Sequence, residues 1–468
     1  MLKARNPRSG ELDYEFAAPD SDAILDAANT ARRAQQLWAE LSVEQRAGIL
    51  LKWGEALEHQ RDAMIGALVA DTGRYNESVL EIDTTLGAIN RWRAQAPALL
   101  AEAVPFASAT PGIDIANRGV PYALVGIISP WNFPLLLGLI DVIPALLAGS
   151  AVLIKPSEVT PRFIEPLNAS LDAVPELRAV VHCLPGDGQT GAELIEQVDM
   201  VVFTGSVATG KKVGAAAMEQ FIPAFLELGG KDPAIVTATA DIERAATALT
   251  WGCMANAGQS CLSIERCYVH ASRYDELVAA LEKNIRGLQQ CVDDASVGQV
   301  GPIIAERQAD ILREHLADAK AKGAEALVGG EVEEINGGLW CQPTLLTGVS
   351  HDMLVMTAET FGPILPVMSY ETDEEAIALA NGTEFGLSAA VFAGTNTEAY
   401  AIATRLEAGA ISVNDCALTA IIHEGEKQSF KASGLGGSRM GAASIQRFLR
   451  KQTHLINAEQ SWDPWWFR

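Results

Sequence analysis

The sequence predicts an α/β fold built around a parallel sheet, because one pattern repeats four times between residues 123 and 219. In each repeat a short, nearly continuous apolar strand is followed by a helical segment. Apolar strands that alternate with helices indicate a parallel sheet covered on both faces. A second alternation runs from about residue 229 to residue 414 and predicts a second α/β domain with its own sheet.

The composition is that of a large, globular and acidic chain. Its 468 residues are enough for two or three domains, and 49% of them are hydrophobic, which allows a sizeable core. The net charge of −24 argues against a nucleic-acid partner or an acidic membrane surface. The seven cysteines follow no disulfide or zinc spacing, so we expect free thiols, no metal and a cytoplasmic location. The most apolar run, 133–149, is short for a membrane span and contains Asp141 and Pro144, so we expect it to be a buried helix.

The first hundred residues predict helices with a structural role. One helix is expected over Ser21–Glu40, and a second begins at a capping box formed by Ser42 and Gln45. Two further helical segments, 62–70 and 77–94, are expected to end before Pro97.

Polar and glycine-rich residues follow each strand of the first alternation. The predicted strands are 123–128, 151–154, 180–184 and 200–203, and the loops after them are 129–132, 155–158, 186–188 and 204–206. Ligands of parallel sheets bind beyond the carboxyl ends of the strands. Glycines admit phosphate close to the backbone, and helix N-termini present free N–H groups. Each loop alone is an ordinary turn, but four in succession favour a dinucleotide site, although a GxGxxG fingerprint is absent.

Cys261 is a candidate nucleophile. It ends the small and polar segment 256–261, and residues 265–270 predict a strand after it. A thiol in a hydrogen-bonding loop beside a strand can act as a nucleophile, although most cysteines are small buried apolar residues. Glu227 lies among apolar residues before two glycines, where a carboxylate can act as a base. The alternative is an ordinary solvated glutamate at a strand end.

Seven motifs, in this order, resemble those of the NAD(P)-dependent aldehyde dehydrogenase superfamily: Pro130–Pro134, Lys155–Glu158, Phe203–Ser206 with Gly210, Glu227–Gly230, Asn256–Cys261, Glu359–Pro363 and Lys431–Gly434. The resemblance implies an aldehyde-dehydrogenase-like α/β fold of three parts. A Rossmann-like cofactor domain comprises 1–104 and 122–228, and an α/β catalytic domain comprises 229–430. A small β oligomerisation element with the C-terminal tail comprises 105–121 and 442–468.

The resemblance implies a role for each of three residues. Cys261 attacks the aldehyde carbon, and the side-chain amide of Asn132 with the Cys261 backbone N–H stabilises the oxyanion. After hydride transfer, Glu227 activates the water that hydrolyses the thioester. This predicts oxidation of an aldehyde to a carboxylic acid. The alternatives are a coenzyme A-acylating enzyme, which commonly lacks the glutamate matched by Glu227, and a non-catalytic binding or structural member, which has no need of all three residues.

The resemblance also implies the residues that bind NAD or NADP. Lys155 and Glu158 hold the adenosine ribose, residues 204–206 face the pyrophosphate, and Glu359 binds the nicotinamide ribose with Phe361 near the ring. A carboxylate suits the free 2′-hydroxyl of NAD, so Glu158 favours NAD while NADP stays possible. The full set of cofactor residues is Ile128, Ser129, Trp131, Lys155, Ser157, Glu158, Gly188, Thr204, Gly205, Ser206, Leu228, Gln308, Glu359 and Phe361.

The sequence departs from the family pattern before and after its last motif. The approach, 414–424, is not rich in proline, and the residues after the motif, 435–441, contain no acidic side chain. His423 and Glu424 either shape the substrate tunnel or form a solvated loop. The segment 461–468 carries four aromatic side chains, which we expect to dock on a neighbouring subunit or to cover the substrate entrance. A homodimer or homotetramer is implied by the family.

The substrate is constrained only by neighbours along the chain. An apolar pocket is suggested by residues that flank the reacting groups in sequence: Leu136, Leu137, Ile140 and Leu262. The cation nearest to Cys261 in sequence is Arg266. A medium aliphatic or aromatic aldehyde is therefore favoured over a semialdehyde that carries a carboxylate.

Overall fold

A computed structural model describes residues 1–458, and its first part is a short hairpin followed by four helices. The capping box at Ser42 is present, with reciprocal bonds between Ser42 and Gln45. The prediction that the fourth helix ends before Pro97 is wrong, because Pro97 lies in its last turn, where few backbone bonds depend on it. The elements are β1 (Leu2–Ala4), β2 (Tyr14–Phe16), α1 (Ser21–Glu40), α2 (Val43–His59), α3 (Arg61–Thr72) and α4 (Asn76–Leu99).

The first large sheet follows the predicted alternation. The segment expected to form one helix over 135–147 is split in two, and the buried Asp141 lies at the break. Four strands of this sheet are parallel and lie side by side in the order 200–204, 124–128, 151–155 and 181–183. The elements are β3 (Phe106–Ala107), β4 (Ile113–Pro121), β5 (Leu124–Ile128), α5 (Pro134–Leu139), α6 (Val142–Ala148), β6 (Ala151–Lys155), α7 (Ile164–Asp172), α8 (Pro175–Arg178), β7 (Val181–Cys183), α9 (Gly188–Ile195), β8 (Met200–Thr204), α10 (Val207–Glu219) and β9 (Ala224–Glu227).

The second alternation also forms a sheet of its own, as predicted. All of its strand pairs are parallel except one at the edge. The elements are β10 (Asp232–Val236), α11 (Ile242–Met254), β11 (Ile264–His270), α12 (Tyr274–Arg286), α13 (Glu306–Ala321), β12 (Glu325–Val328), β13 (Val332–Ile335), β14 (Gly338–Cys341), β15 (Thr344–Thr347), α14 (Leu354–Thr357), β16 (Ile364–Tyr370), α15 (Asp373–Asn381), β17 (Phe385–Gly386), β18 (Ser388–Phe392), α16 (Asn396–Ala403) and β19 (Ala410–Val413), with short 3₁₀ helices at Ala255–Gly258, Ala271–Arg273 and Leu418–Ala420.

The last part of the chain returns to the first large sheet and to strand β17. Its elements are β20 (Phe430–Lys431), β21 (Gly434–Leu435), α17 (Ala443–Gln446) and β22 (Leu449–Asn457). Strand β20 pairs with β17, and β21 pairs with β9, which gives the first sheet the order β21-β9-β8-β5-β6-β7. The second sheet has the order β12-β15-β16-β11-β10-β18-β19. We call residues 424–447 the C-terminal segment. It adds β21 to the first sheet and pairs through β20 with β17, which comes just before strand β18 of the second sheet.

A third, small sheet is formed by distant parts of the chain. Strand β22 pairs with β4 along nine residues, and β3 adds to the other side of β4. Within residues 1–458, none of the helices has the length and apolar character needed to cross a lipid bilayer. The aromatic segment expected to dock or to cover the entrance, 461–468, lies outside the described residues.

Candidate active site

Cys261 is positioned by an irregular turn that ends α11. Asn256 and Ala257 both adopt left-handed backbone conformations, with φ values of 54° and 52°. Gly258 also has a positive φ, and a Cβ atom there would lie 2.2 Å from the carbonyl of Gly362, so only glycine fits. The tight turn places the half-buried thiol of Cys261 at the surface of a cleft.

The cleft draws its walls from both large sheets. It encloses about 120 Å³. The first sheet and the loops after it contribute Pro130, Trp131, Asn132, Leu137, Thr204, Gly205, Ser206, Glu227, Leu228 and Gly229, and the second half of the chain contributes Cys261, Gln308, Glu359 and Phe361. All three predicted catalytic residues and eight predicted cofactor residues thus meet in one cavity.

Asn132 is held from two sides. Its side-chain amide donates to the carbonyl of Gln259, 3.0 Å away, in the turn before the cysteine. Its backbone carbonyl accepts a hydrogen bond from the Arg74 side chain at 2.5 Å and another from the Asn256 side chain at 3.2 Å. The side-chain amide of Asn132 is therefore fixed next to the Cys261 loop. Only one of its two N–H groups is needed for the bond to the Gln259 carbonyl.

The N-terminal region, for which the sequence predicts only a structural role, contributes to the position of Asn132. Buried Arg74 pairs with Glu81 of α4 at 3.1 Å. The second carboxylate oxygen of Glu81 accepts from the backbone N–H groups of Leu135 and Leu136, at the start of α5. Burial raises the pKa of Glu81 to about 7, against the effect of Arg74. This pair anchors the loop that carries Asn132.

Glu227 ends strand β9 and is not a solvated side chain. Its side chain is 11% exposed, and its Oε2 accepts from Ser429 at 3.0 Å and lies 3.5 Å from the Nζ of Lys427. Both partners come from the C-terminal segment, whose strand β21 pairs with the backbone of Glu227. The predicted base thus shares the cleft with Cys261 and is anchored by a distant part of the chain.

Burial raises the pKa of the Cys261 thiol to about 12. The positive charges of Lys427 and Arg439 act in the opposite direction, whereas Asp232 and Glu227 raise the pKa further. All seven cysteines are free, and burial also raises the thiol pKa of Cys267 and Cys341 to about 12. Cys261 differs from these two because it lines the cleft and has cations nearby.

The loop 359–361 is fixed by a buried ion pair. Lys231 and Glu265 lie 2.8 Å apart, and Lys231 also donates to the Thr360 hydroxyl. Glu265 accepts from the backbone N–H groups of Thr360 and Phe361, each at 2.7 Å. We call Lys231, Glu265, Thr360 and His315, whose ring lies 3.2 Å from the Thr360 hydroxyl, the scaffold network.

The scaffold network presents two predicted cofactor residues. Glu359 accepts from the backbone N–H of Gly230 at 3.2 Å, and burial raises its pKa to about 8. The ring of Phe361 packs edge-on against Trp131, with centroids 5.4 Å apart. Gln308 lines the cleft but uses its amide to donate to the carbonyl of Thr360.

The remaining predicted cofactor residues lie at the strand ends of the first sheet. Lys155 pairs with the half-exposed Glu158 at 3.0 Å, and the Ser129 N–H donates to the carbonyl of Lys155. Ser157 accepts from the N–H of Val159 through its hydroxyl. Ile128 ends β5, and Gly188 is the first residue of α9. These residues form a second group, beyond the cleft that contains Cys261.

Sequence reasoning missed the cations of the active site. Lys427 contacts Glu227, and Arg439 bonds to the Thr204 hydroxyl and to Asp141. Arg266 is the cation nearest to Cys261 along the chain, but it does not serve the cleft. Its guanidinium is buried and donates to the backbone carbonyls of Lys231 and Ala380. Distance along the chain says little here, because the C-terminal segment comes back to the cleft from more than 160 residues away.

The other side chains proposed to shape the substrate site have mixed positions. Leu137 lines the cleft, and Leu262 is part-buried against the core of the second sheet. Glu424 is exposed and accepts from the backbone N–H of His423, and the carbonyl of His423 accepts from Gly441. His423 and Glu424 therefore stabilise a turn at the surface.

Comparison with known proteins places this chain in one family. Residues 1–454 match the aldehyde dehydrogenase family. The chain is 53% identical to a protein of known structure, "Putative Aldehyde Dehydrogenase PutA" from Anabaena variabilis, with both chains covered completely and a TM-score of 0.98. It is 37% identical to the "Putative succinate-semialdehyde dehydrogenase" of Mycolicibacterium smegmatis, whose name specifies NADP(+), over 93% of this chain and 84% of that protein.

A third similar protein was solved with a cofactor. This chain is 27% identical to the betaine aldehyde dehydrogenase of Staphylococcus aureus, in complex with NAD+, with a TM-score of 0.91 over 99% of this chain and 92% of that one. The chain described here belongs to the aldehyde dehydrogenase family. It is an NAD(P)-dependent oxidoreductase that converts an aldehyde to a carboxylic acid.

Proposed function

We propose that the reaction runs on Cys261, with Asn132 and Glu227 as its partners, by the hydrolytic rather than the acylating route. The observation that carries this proposal is the shared cleft, in which a thiol, an amide donor and a buried carboxylate line one cavity. The Cys261 sulfur forms a bond to the aldehyde carbon, and the carbonyl electron pair moves to oxygen. The Asn132 amide and the Cys261 backbone N–H donate to that oxygen, each contributing on the order of a few kcal/mol.

The second half of the reaction depends on Glu227. When the carbon–oxygen double bond re-forms, a hydride leaves the carbon and a thioester remains on Cys261. Glu227 then takes a proton from water while the water oxygen bonds to the thioester carbon. The carbon–sulfur bond breaks, and a carboxylic acid and the Cys261 thiolate are released.

The residues beyond the strand ends fit a dinucleotide. The hydroxyl of Ser129 is buried and has no hydrogen-bond partner among residues 1–458, so it is available to a ligand. Ser206 lines the cleft and caps α10, and the N-terminus of such a helix favours phosphate. When bound, NAD(P) accepts the hydride at its nicotinamide ring. We propose that Glu359, Phe361 and Trp131 hold that end, and that Lys155, Ser157 and Glu158 hold the adenosine end.

We further propose that NAD is preferred to NADP. The Glu158 carboxylate would repel a 2′-phosphate, although the Lys155 ammonium beside it reduces that repulsion. Glu158→Gln is expected to lower the ratio of kcat/KM for NAD to kcat/KM for NADP by roughly tenfold. Glu196→Gln, at an exposed carboxylate that follows α9, serves as the control. An unchanged ratio, or a wild-type preference for NADP, contradicts this proposal.

We propose the same division of the chain that the sequence implies. The first sheet with the N-terminal helices, 1–104 and 122–228, serves the cofactor, and 229–430 carries the nucleophile. The small sheet of β3, β4 and β22 supports a role of 105–121 and 442–468 in a homodimer or homotetramer, because exposed Leu455 and Ile456 lie on its edge strand. The cytoplasm is the proposed location.

Two substitutions test the catalytic roles. Cys261→Ala is expected to lower turnover by roughly 10⁴-fold or more, because it removes the nucleophile. Glu227→Gln is expected to retain a rapid burst of NADH, close to one per active site, followed by a steady state slowed by roughly 10²-fold to 10⁴-fold. Stopped-flow absorbance with an aliphatic aldehyde measures both effects, without coenzyme A.

Cys183→Ala provides the matched control, since Cys183 is part-exposed and lies at β7, away from the cleft. Undiminished turnover of Cys261→Ala would refute the role of Cys261. A strict requirement of the wild-type enzyme for coenzyme A would instead favour the acylating route.

A further inference from the structure

The C-terminal segment delivers three buried cations to the region of Glu227. We call Lys427, Arg439 and Arg447 the cation cluster. Their side chains are 9%, 10% and 3% exposed. Residues this well buried are rarely charged unless they are paired.

The carboxylates that face these cations are too few. Glu227 lies 3.5 Å from Lys427, and Asp141 accepts from both Arg439, at 2.9 Å, and Arg447. Within residues 1–458, the three cations thus form ion pairs with two carboxylates. The Nε of Arg439 and the Nε and Nη1 of Arg447 have no hydrogen-bond partner among residues 1–458. An uncompensated buried charge costs several kcal/mol, so this cluster calls for a third anion.

Cys261 is the group placed to supply that anion. Its sulfur shares the cleft with Glu227, which Lys427 contacts, and with Thr204, to which Arg439 bonds. The positive charges of Lys427 and Arg439 lower the pKa of this thiol, against the effect of burial. The negative charges that act on it are Glu227 and Asp232.

The other carboxyl groups near the cleft do not balance the cluster. Asp232 is buried and bonded to Ser388, and burial raises its pKa to about 7. Glu359, on the opposite wall, has its pKa raised by burial to about 8. Neither carboxyl group forms an ion pair with Lys427, Arg439 or Arg447, whose ion-pair partners within residues 1–458 are Glu227 and Asp141.

We propose that Lys427 and Arg439 are positioning residues that supply the counter-charge of the Cys261 thiolate. This inference rests on the proposed function, in which Cys261 is the nucleophile. With the sulfur ionised, three positive charges face three negative ones. The thiolate is both the group that attacks the aldehyde and the group that leaves during thioester hydrolysis, so the same cations assist both steps.

The segment that carries these cations is anchored to both halves of the molecule. Strand β21 pairs with β9 at Leu226 and Glu227, and β20 pairs with β17. The Ser438 hydroxyl accepts from the backbone N–H of Lys427 at 3.0 Å. The cations that face Cys261 are therefore held in place by strand pairing and by a hydrogen bond within the segment.

The pH dependence of Cys261 alkylation by iodoacetamide, read by mass spectrometry on the full chain, tests this proposal. Lys427→Gln is expected to raise the midpoint of the alkylation profile by about one unit or more. At pH values below both midpoints, that shift slows labelling by about tenfold or more. Lys427→Arg, which keeps the charge, is expected to restore most of the wild-type midpoint. Arg439→Gln is expected to shift the midpoint in the same direction, and Arg439→Lys less.

Lys431→Gln is the matched control, because Lys431 lies on the same segment but bonds to Glu407 and to the carbonyl of Asn381. Folding of each variant is checked by circular dichroism. An unchanged midpoint in folded Lys427→Gln and Arg439→Gln overturns the proposal.

A second readout separates the thiolate from the substrate as the missing anion. The KM for succinic semialdehyde is compared with the KM for butanal in wild type and in Lys427→Gln. If only the semialdehyde KM rises and the alkylation midpoint stays fixed, the cations bind a substrate carboxylate and the proposal is wrong. Either outcome leaves the role of Cys261 as nucleophile to be decided separately by the turnover of Cys261→Ala.

Discussion

Two buried groups of charges flank the cleft, and they are built differently. In the scaffold network, Lys231 and Glu265 are 0% and 3% exposed, and each carboxylate oxygen of Glu265 accepts at least one hydrogen bond. In the cation cluster, Arg439 and Arg447 share one carboxylate and retain N–H groups that are unpaired within residues 1–458.

The two groups of charges are therefore suited to different roles. A balanced, fully bonded pair fixes a loop and gains nothing from a further ligand. Burying cations that outnumber their carboxylate partners costs free energy, unless a further anion, present only at some steps of the reaction, balances the charge. Changes in the scaffold network are therefore expected to act mainly on stability, and changes around Glu227 mainly on rate.

The largest effect is expected from Lys231→Met. It leaves Glu265 buried without its cation, which costs about 3–5 kcal/mol in the free energy of unfolding. Lys322→Met is the control, because Lys322 pairs with Asp318 at a more exposed site and its loss is expected to cost far less than the loss of Lys231. Urea denaturation of both variants measures the difference. Equal losses would show that the scaffold network is not special.

The next effect is a pH dependence of stability. Burial, with the charge of Lys231, lowers the pKa of His315 to about 4 from an unfolded value of 6.5. The unfolded chain therefore binds this proton first as pH falls, so stability decreases between about pH 6.5 and pH 4, by at most roughly 3 kcal/mol. His315→Gln is expected to remove this part of the dependence, and His454→Gln, at an exposed site, is not. Parallel stability curves for wild type and His315→Gln would contradict this prediction.

The smallest effect is expected from Ser429→Ala. It removes the 3.0 Å hydrogen bond to Glu227, worth about 1 kcal/mol, and so slows thioester hydrolysis roughly fivefold. Steady-state kcat, compared with the NADH burst rate, measures this step. The control Ser296→Ala loses a hydrogen bond to exposed Asp294 and should leave kcat unchanged. A loss of stability in place of a loss of rate would break the distinction between the two groups.

The sequence by itself determined the two parallel sheets and the identity of the family. Strand and helix periodicity is local, and the loop after each strand must open at the same edge of a parallel sheet. The turn at 256–258 also leaves a local trace, since Gly258 is needed where its φ is positive and the Gly362 carbonyl is close. Cys261, Asn132 and Glu227 could be predicted as catalytic residues because each lies in a motif that is continuous in sequence.

Only the tertiary structure decided what surrounds those three residues. Arg74, between α3 and α4, donates to the backbone of Asn132, and Glu81 of α4 pairs with Arg74, in a part of the sequence that shows nothing beyond amphipathic packing. Lys427 reaches Glu227 from 200 positions away, because β21 pairs with β9 and β20 pairs with β17, which holds the C-terminal segment beside Glu227. A charge acts through distance in space and through its burial, and neither quantity is written in the neighbours along the chain.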